Sequence, residues 1–114
     1  MSTADPCLFC RIAAGQEPAE VVYQDQEFVA FKDIHPRASV HILLIPRRHI
    51  PSAQDLSPED APLMGRLLLT ANLVARQLGL ADRGYRELVQ VGRGGGQTIF
   101  HLHLHLLGGR APLW

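Results

Sequence analysis

Nothing in this sequence is in marked excess, and what is scarce narrows its function. Basic and acidic residues balance at 11 each, which argues against a bulk electrostatic role on nucleic acid or at a membrane. Apolar runs such as Ile42-Leu43-Leu44-Ile45 are far too short to span a bilayer. The opening residues, Met1-Ser2-Thr3-Ala4-Asp5-Pro6, carry neither the basic nor the apolar region of a secretory signal, so a cytoplasmic location is expected. With two cysteines there is no disulfide framework, and Cys7-Leu8-Phe9-Cys10 reads as reduced thiols or metal ligands. No repeat, low-complexity tract or linker divides the chain. Its 114 residues form a single domain, 1–114, large enough for a real core.

What the chain does have is histidine in one place. Of six histidines, three fall in Phe100-His101-Leu102-His103-Leu104-His105-Leu106-Leu107. On a strand the side-chain period is two, so His101, His103 and His105 share one face and Leu102, Leu104 and Leu106 pack from the other. Strict alternation over eight residues fits a helix badly. A row of imidazoles makes sense where it meets a metal, a phosphate or another imidazole.

Before that strand, residues 7–14 have the apolar spacing of a short helix stopped by Gly15. Glu20–Tyr23 and Phe28–Lys32 read as a hairpin around Gln24-Asp25-Gln26-Glu27. Val40–Ile45 is a further strand, ended by Pro46. One helix dominates, beginning near Ser57-Pro58-Glu59-Asp60 with Asp60 as the capping acid and closing at Gly79. Pro62 blurs its start. Leu63, Met64, Leu67, Leu68, Ala71, Val74, Ala75 and Leu78 form its apolar face. Tyr85–Val91 is a fourth strand, and Gly92–Thr98 a glycine-rich loop leading to the histidine strand. Adjacent strands followed by one long helix predict an α+β fold with an antiparallel sheet.

The loop Gly94-Gly95-Gly96 permits backbone N–H groups to converge on an anion. It lacks the Lys-Ser/Thr of a P-loop and feeds a strand, so neither dinucleotide nor Walker binding applies. Gln97 and Thr98 add an amide and a hydroxyl. Neutral imidazole is a good nucleophile toward phosphorus, and a second imidazole can protonate the departing group. The constellation therefore points to phosphoryl or nucleotidyl transfer. The competing chemistry is a metal site: Cys7 and Cys10 have the spacing of a zinc half-site, which His49 and His101 would complete. Without a metal, His49 is a surface histidine and the thiols are idle. Asp33 alone would be a turn cap, Phe9 and Phe31 core residues, and His35 a loop residue with no role.

Residues His101 to Leu107 resemble the signature of the histidine triad family. The resemblance extends through Cys7–Pro18, Phe31–Ile34, His41–Ile50 and Gly94–Thr98, in order and spacing, and covers essentially the whole chain. The ending, Gly108-Gly109-Arg110 through Trp114, is similar to the Hint branch, the histidine triad nucleotide-binding proteins. The resemblance implies a five-stranded antiparallel sheet with one long and one short helix, dimerising into a continuous ten-stranded sheet. It makes His103 the nucleotidylated nucleophile, His105 the phosphate contact and leaving-group acid, and His41 a supporting histidine. It assigns Asp33 to the ribose hydroxyls and Leu8, Phe9, Ile12, Phe31 and Ile34 to the base slot. Gly96, Gln97 and Thr98 match the phosphate loop, and Cys7, Cys10, His49 and His101 a zinc site.

Two departures bear on specificity. Gln90 stands where the branch usually has asparagine near the phosphate, and Thr98 where it has serine. The implied activity is that of a purine-nucleoside 5′-phosphoramidase acting through a nucleotidyl-His103 intermediate. Dinucleoside-polyphosphate hydrolysis and a non-catalytic AMP-binding regulatory module are the alternatives. The implied partners are a purine nucleotide or phosphoramidate and a second copy of the chain, with neither nucleic acid nor membrane.

Overall fold

A computed structural model describes residues 6–109. The short helix α1, Leu8–Ala13, is capped by Cys7, whose sulfur accepts from the Cys10 N–H. Gly15, at φ +75°, turns the chain out of it. Strands β1 (Val21–Gln24) and β2 (Phe28–Lys32) form the expected hairpin. Asp25 Oδ1 accepts from the N–H groups of Glu27 and Phe28, both at 2.7 Å, and so supplies the turn that a two-residue Asn-Gly loop would otherwise provide. Strand β3, Val40–Pro46, follows and includes Pro46, its terminal residue.

The long helix begins as read. A 3-10 turn over Pro58–Asp60 leads into α2, Ala61–Gln77. Asp60 Oδ2 accepts from the Ser57 N–H at 2.9 Å, and Oδ1 from Arg48 at 2.7 Å, which together hold its carboxyl below the usual range. Its buried face is Leu63, Leu67, Ala71, Val74 and Ala75, with Thr70. Leu68, expected on that face, is 46% exposed beside Leu69 at 68%. The apolar stripe of this helix is therefore wider than the face that the sheet covers.

Strand β4 is Tyr85–Leu88, three residues shorter than expected, and β5 is Leu104–Gly108. The sheet runs β1-β2-β3-β5-β4, antiparallel throughout. Because alternate residues face opposite ways, the two faces carry two cores. On one, Phe28, Ala30, Ile42, Leu44, Leu104 and Leu106 pack against α2. On the other, Val29, Phe31, Leu43 and Ile45 pack against Phe9 of α1. That second face is the one that His41 and His105 share. No helix among the described residues is long and apolar enough to cross a membrane.

The histidine segment differs from its expected form in one respect. His101, Leu102 and His103 precede β5 as an extended lead-in, and pairing begins at Leu104. Alternation survives the missing ladder. Leu102, Leu104 and Leu106 are all buried in the α2 core, and the Leu102 N–H donates to the Ile50 carbonyl at 2.6 Å. The tail through Trp114 lies outside the described residues.

Candidate active site and metal centre

The β3–β5 register builds the site. Leu43 stands opposite His105 and His41 opposite Leu107, so His41 and His105 are diagonal neighbours on one face, within reach of two imidazoles. Their rings meet at 2.9 Å, His41 Nε2 to His105 Nδ1. The backbone fixes which nitrogen carries the proton. The Arg37 N–H donates to His41 Nδ1 at 3.0 Å, so neutral His41 is protonated at Nε2 and donates to His105 Nδ1. His105 therefore carries its own proton on Nε2, which is buried and has no hydrogen-bond partner among the described residues. Burial lowers the proton affinity of His41, and burial with the neighbouring imidazoles takes His105 down to about 4. Both rings are neutral at pH 7.

His103 is fixed in the opposite sense. Its Nδ1–H donates to the His101 carbonyl at 2.7 Å, leaving Nε2 with a bare lone pair. Burial lowers its proton affinity as well. Phe9 meets the ring edge-on, centroids 5.2 Å apart, and packs similarly on Phe31 at 5.4 Å. His103 and His105 lie 5.0 Å apart, ring to ring. A neutral imidazole with a bare Nε2 and a neutral imidazole with an Nε2–H thus stand side by side.

They open into a cavity of about 680 Å³. Leu8, Phe9, Ile12 and Phe31 wall its α1 end, and Ile34, 85% exposed, forms a lip. Asp33 lies between that end and the histidines: Oδ2 is 3.4 Å from His41 Nε2, while Oδ1 accepts from the His35 N–H. The turn-cap reading of Asp33 is therefore also true of it. Gln90, Gly96 and Thr98 line the opposite wall. Gly96 sits at φ +91°, and a Cβ there would come within 2.6 Å of Gln90 Nε2.

Gln97 does something other than expected. Its side chain is buried behind the loop, where Oε1 accepts from the Gly92 N–H and Nε2 donates to the Pro51 and Ile99 carbonyls. The amide holds the glycine loop in shape and does not line the cavity. His35, read as idle, does line the cavity, together with Glu17, Lys32 and Arg37. These four lie on loops and a strand end with no periodicity or spacing to mark them. Only the tertiary fold brings them to the cavity.

The second constellation lies at the other end of the same strands. Carried back past Leu104, the register places His101 beside the segment that leaves β3 toward His49, under the start of α1. Ligand atoms of Cys7, Cys10, His49 and His101 all lie within 4.8 Å of one another. Cys7 Sγ and His101 Nδ1 are 3.3 Å apart, Cys10 Sγ and His49 Nδ1 3.3 Å, and the two Nδ1 atoms 3.3 Å. A tetrahedral ion with bonds of about 2.0–2.3 Å needs edges of roughly 3.3–3.8 Å, so the donors fit one. His101 Nε2 donates to the Pro46 carbonyl at 2.8 Å, which turns Nδ1 toward the sulfurs as a lone pair. The group Asp33, His41 and His105 also clusters. Its 2.9 Å ring contact suits a shared proton better than two ligands on one ion.

Known proteins resemble this chain along most of its length. The family model described as "Scavenger mRNA decapping enzyme C-term binding" matches residues 6–112. Protein HitA of Neisseria gonorrhoeae is 48% identical over 104 residues, which is 91% of this chain and 96% of that one. Purine nucleoside phosphoramidase of Escherichia coli (strain K12) is 43% identical over 107 residues, 94% of this chain and 90% of its own. A solved structure of a HIT family hydrolase from Legionella pneumophila Philadelphia 1 superposes with a TM-score of 0.91 at 46% identity, covering 95% and 96% of the two chains. A Zn-bound histidine triad family protein from Mycobacterium smegmatis superposes at 0.77 with 33% identity, covering 92% and 76%.

Proposed function

The chain belongs to the histidine triad family of hydrolases, and from that membership we propose that it cleaves the P–N bond of purine nucleoside 5′-phosphoramidates by way of a nucleotidyl-His103 intermediate. The observation that carries the reading is the pair of opposed tautomers, a lone pair at His103 Nε2 and an N–H at His105 Nε2, on two neighbouring histidines that line one cavity.

The base lies between Leu8, Phe9, Ile12, Phe31 and the lip Ile34, where apolar surface is removed from water. Asp33, an acceptor-only group, takes the two ribose hydroxyls. The Thr98 hydroxyl faces the non-bridging phosphate oxygens, while the N–H groups of Gly95, Gly96 and Gln97, expected to converge on an anion, donate to the Gly92 and Arg93 carbonyls and hold the loop closed on itself. Gln90 extends its amide over the same oxygens.

The substrate's negative charge raises the proton affinity of the His41–His105 pair, which enters the reaction with His105 protonated at both nitrogens and the His41 Nε2–H turned to Asp33 Oδ2, 3.4 Å away. His103 Nε2 attacks phosphorus as the P–N bond breaks, and His105 Nε2 delivers its proton to the leaving nitrogen. The amine departs neutral, and the pair is left neutral, with the proton that His105 keeps on Nδ1 and its Nε2 bare. Water then attacks the nucleotidyl-His103, giving up a proton to the pair as the bond to His103 breaks. The nucleoside monophosphate is released, and the pair is protonated for the next turnover.

Zinc is the ion that suits two thiolates and two imidazoles, and Cys7, Cys10, His49 and His101 would hold it. The Zn-bound relative supports this assignment. Bound there, the ion would clamp α1 to the lead-in of β5. The outer edge of β4, which pairs with no other described strand, and the exposed Leu68 and Leu69 on α2 support a homodimer whose sheets join. Light scattering in solution measures that directly.

Hydrolysis of adenosine 5′-phosphoramidate by the purified protein, beside diadenosine tetraphosphate, tests the activity. Release of AMP from the phosphoramidate is the expected result. Preferential cleavage of the dinucleotide would move the protein to the polyphosphate hydrolases. AMP binding without turnover of either would leave a nucleotide-binding module.

A further inference from the structure

The α1 end of the cavity is walled by groups that cannot hydrogen-bond through their side chains: Leu8, Ile12, Pro18, Phe31 and Ile34. Glu17, next to Pro18, brings a carboxylate to this end. It follows the Gly15 turn, and its position is held from both sides. Gln16 N–H donates to the Arg11 carbonyl at 2.8 Å, and farther along Lys32 N–H donates to the Glu20 carbonyl at 3.0 Å. The carboxylate itself is tied to α1, with Oε1 3.3 Å from Arg11 Nη2, and both side chains are partly buried. A carboxylate has been set into the apolar end of the slot and braced there. The phosphate chemistry, at the histidine end, has no use for it.

We propose that Glu17 selects the base, favouring guanine over adenine. This rests on the reading above that the cavity takes a purine nucleotide with its base toward α1. A carboxylate offers only acceptors. Guanine presents two adjacent donors on its pairing edge, N1–H and the 2-amino group, and matches a carboxylate with two parallel hydrogen bonds. Adenine presents one donor, its 6-amino group, beside the N1 lone pair, which a carboxylate repels. Hypoxanthine keeps the N1–H and lacks the 2-amino group, so it stands between them. Arg11 fixes the carboxylate in place and lowers the entropy lost when the base is bound.

The test is calorimetric titration of the intact protein with GMP, IMP and AMP. The expected order is GMP, then IMP, then AMP, with GMP about tenfold tighter than AMP, as a bidentate pair discriminates. Glu17→Ala should bring GMP and AMP to near parity. Glu17→Gln, whose amide offers one donor and one acceptor, should shift the ratio toward AMP. Equal or tighter binding of AMP by the unaltered protein would overturn the proposal. So would a preference for GMP that survives in both variants. Should none of the three nucleotides bind the unaltered protein, the nucleotide reading of the cavity falls, and this proposal with it. Loss of base preference with binding intact would remove only the role of Glu17.

Discussion

His103 hangs from His101: the Nδ1–H of one donates to the backbone carbonyl of the other at 2.7 Å. The side chain of His101 faces two sulfurs and the His49 ring, while its backbone carbonyl orients the ring with the bare nitrogen. The lead-in to β5 thus joins the cysteine–histidine cluster to the His103 ring through one residue. Phe9, edge-on to both rings at 6.0 and 5.2 Å, fills the space between the two groups.

Substitution of His103 separates chemistry from binding. His103→Ala removes the lone pair at Nε2 and leaves Asp33 and the apolar slot in place. Turnover should fall by at least ~10³-fold, while AMP titrations should show affinity within a few-fold of the unaltered protein. A variant that still releases product at an appreciable rate would exclude His103 as the nucleophile.

Metal should stabilise the fold and bind once per chain. Ligand binding to the native state alone contributes about 2.7 kcal/mol at a hundredfold excess over Kd. For a domain of this size that is a rise in Tm of roughly 10 °C. Thermal melts with zinc and with chelator, and metal analysis of Cys10→Ser, check it. Equal melting temperatures in both conditions would leave the four donors without an ion.

Acid should destabilise the metal-free protein through the buried imidazoles. His105 binds its proton near 4 when folded and near its ordinary 6.5 when unfolded. The unfolded chain therefore takes up the proton first as pH falls, and stability declines between about 6.5 and about 4. Below that window both states are protonated and this contribution levels off. Denaturant melts across the range, in chelator, should show the slope, and His105→Asn should reduce it. An unchanged slope in the variant would place the acid sensitivity elsewhere.

Two glycines of the same loop should respond differently. Gly96→Ala places a Cβ at φ +91° against the Gln90 amide, at a cost of about 1–3 kcal/mol. It should also displace Gln90 and depress activity. Gly94 has open space around a Cβ and no positive φ, so Gly94→Ala should fall within about 0.5 kcal/mol of the parent. Thermal melts and phosphoramidate turnover of the pair separate strain from flexibility. Comparable losses at both positions would point to loop mobility in general.

The core was legible wherever periodicity was strong. Leu102, Leu104 and Leu106 are buried as the alternation requires, even though His101 and His103 sit outside the ladder. Leu68 misled because spacing shows which residues share a helix face, not how wide a face the sheet covers. The spacing of Cys7 and Cys10 reads as a zinc half-site, and the fold brings His49 and His101 within 4.8 Å of both. Gln97 was misplaced because an amide beside a glycine loop looks the same whether it faces a ligand or the loop's own backbone. Glu17, His35 and Arg37 reach the cavity through loop paths, and nothing local marks such residues. The tautomers were beyond the sequence too, since they depend on the Arg37 N–H and the His101 and Pro46 carbonyls.

The strand order has a consequence for how the protein is made. β5 follows every other described strand in the chain yet lies between β3 and β4. During synthesis β3 waits with one edge open and β4 has no partner until β5 has been translated and released from the ribosome. Until then the hairpin and α2 can collapse, but the sheet cannot close. Of the two histidines proposed to do the chemistry, His103 lies in the lead-in to that closing strand and His105 within it, so nascent chains short of it hold no active centre. The step that completes the fold also completes the site, and an unfinished chain displays an unpaired apolar edge to any chaperone that meets it.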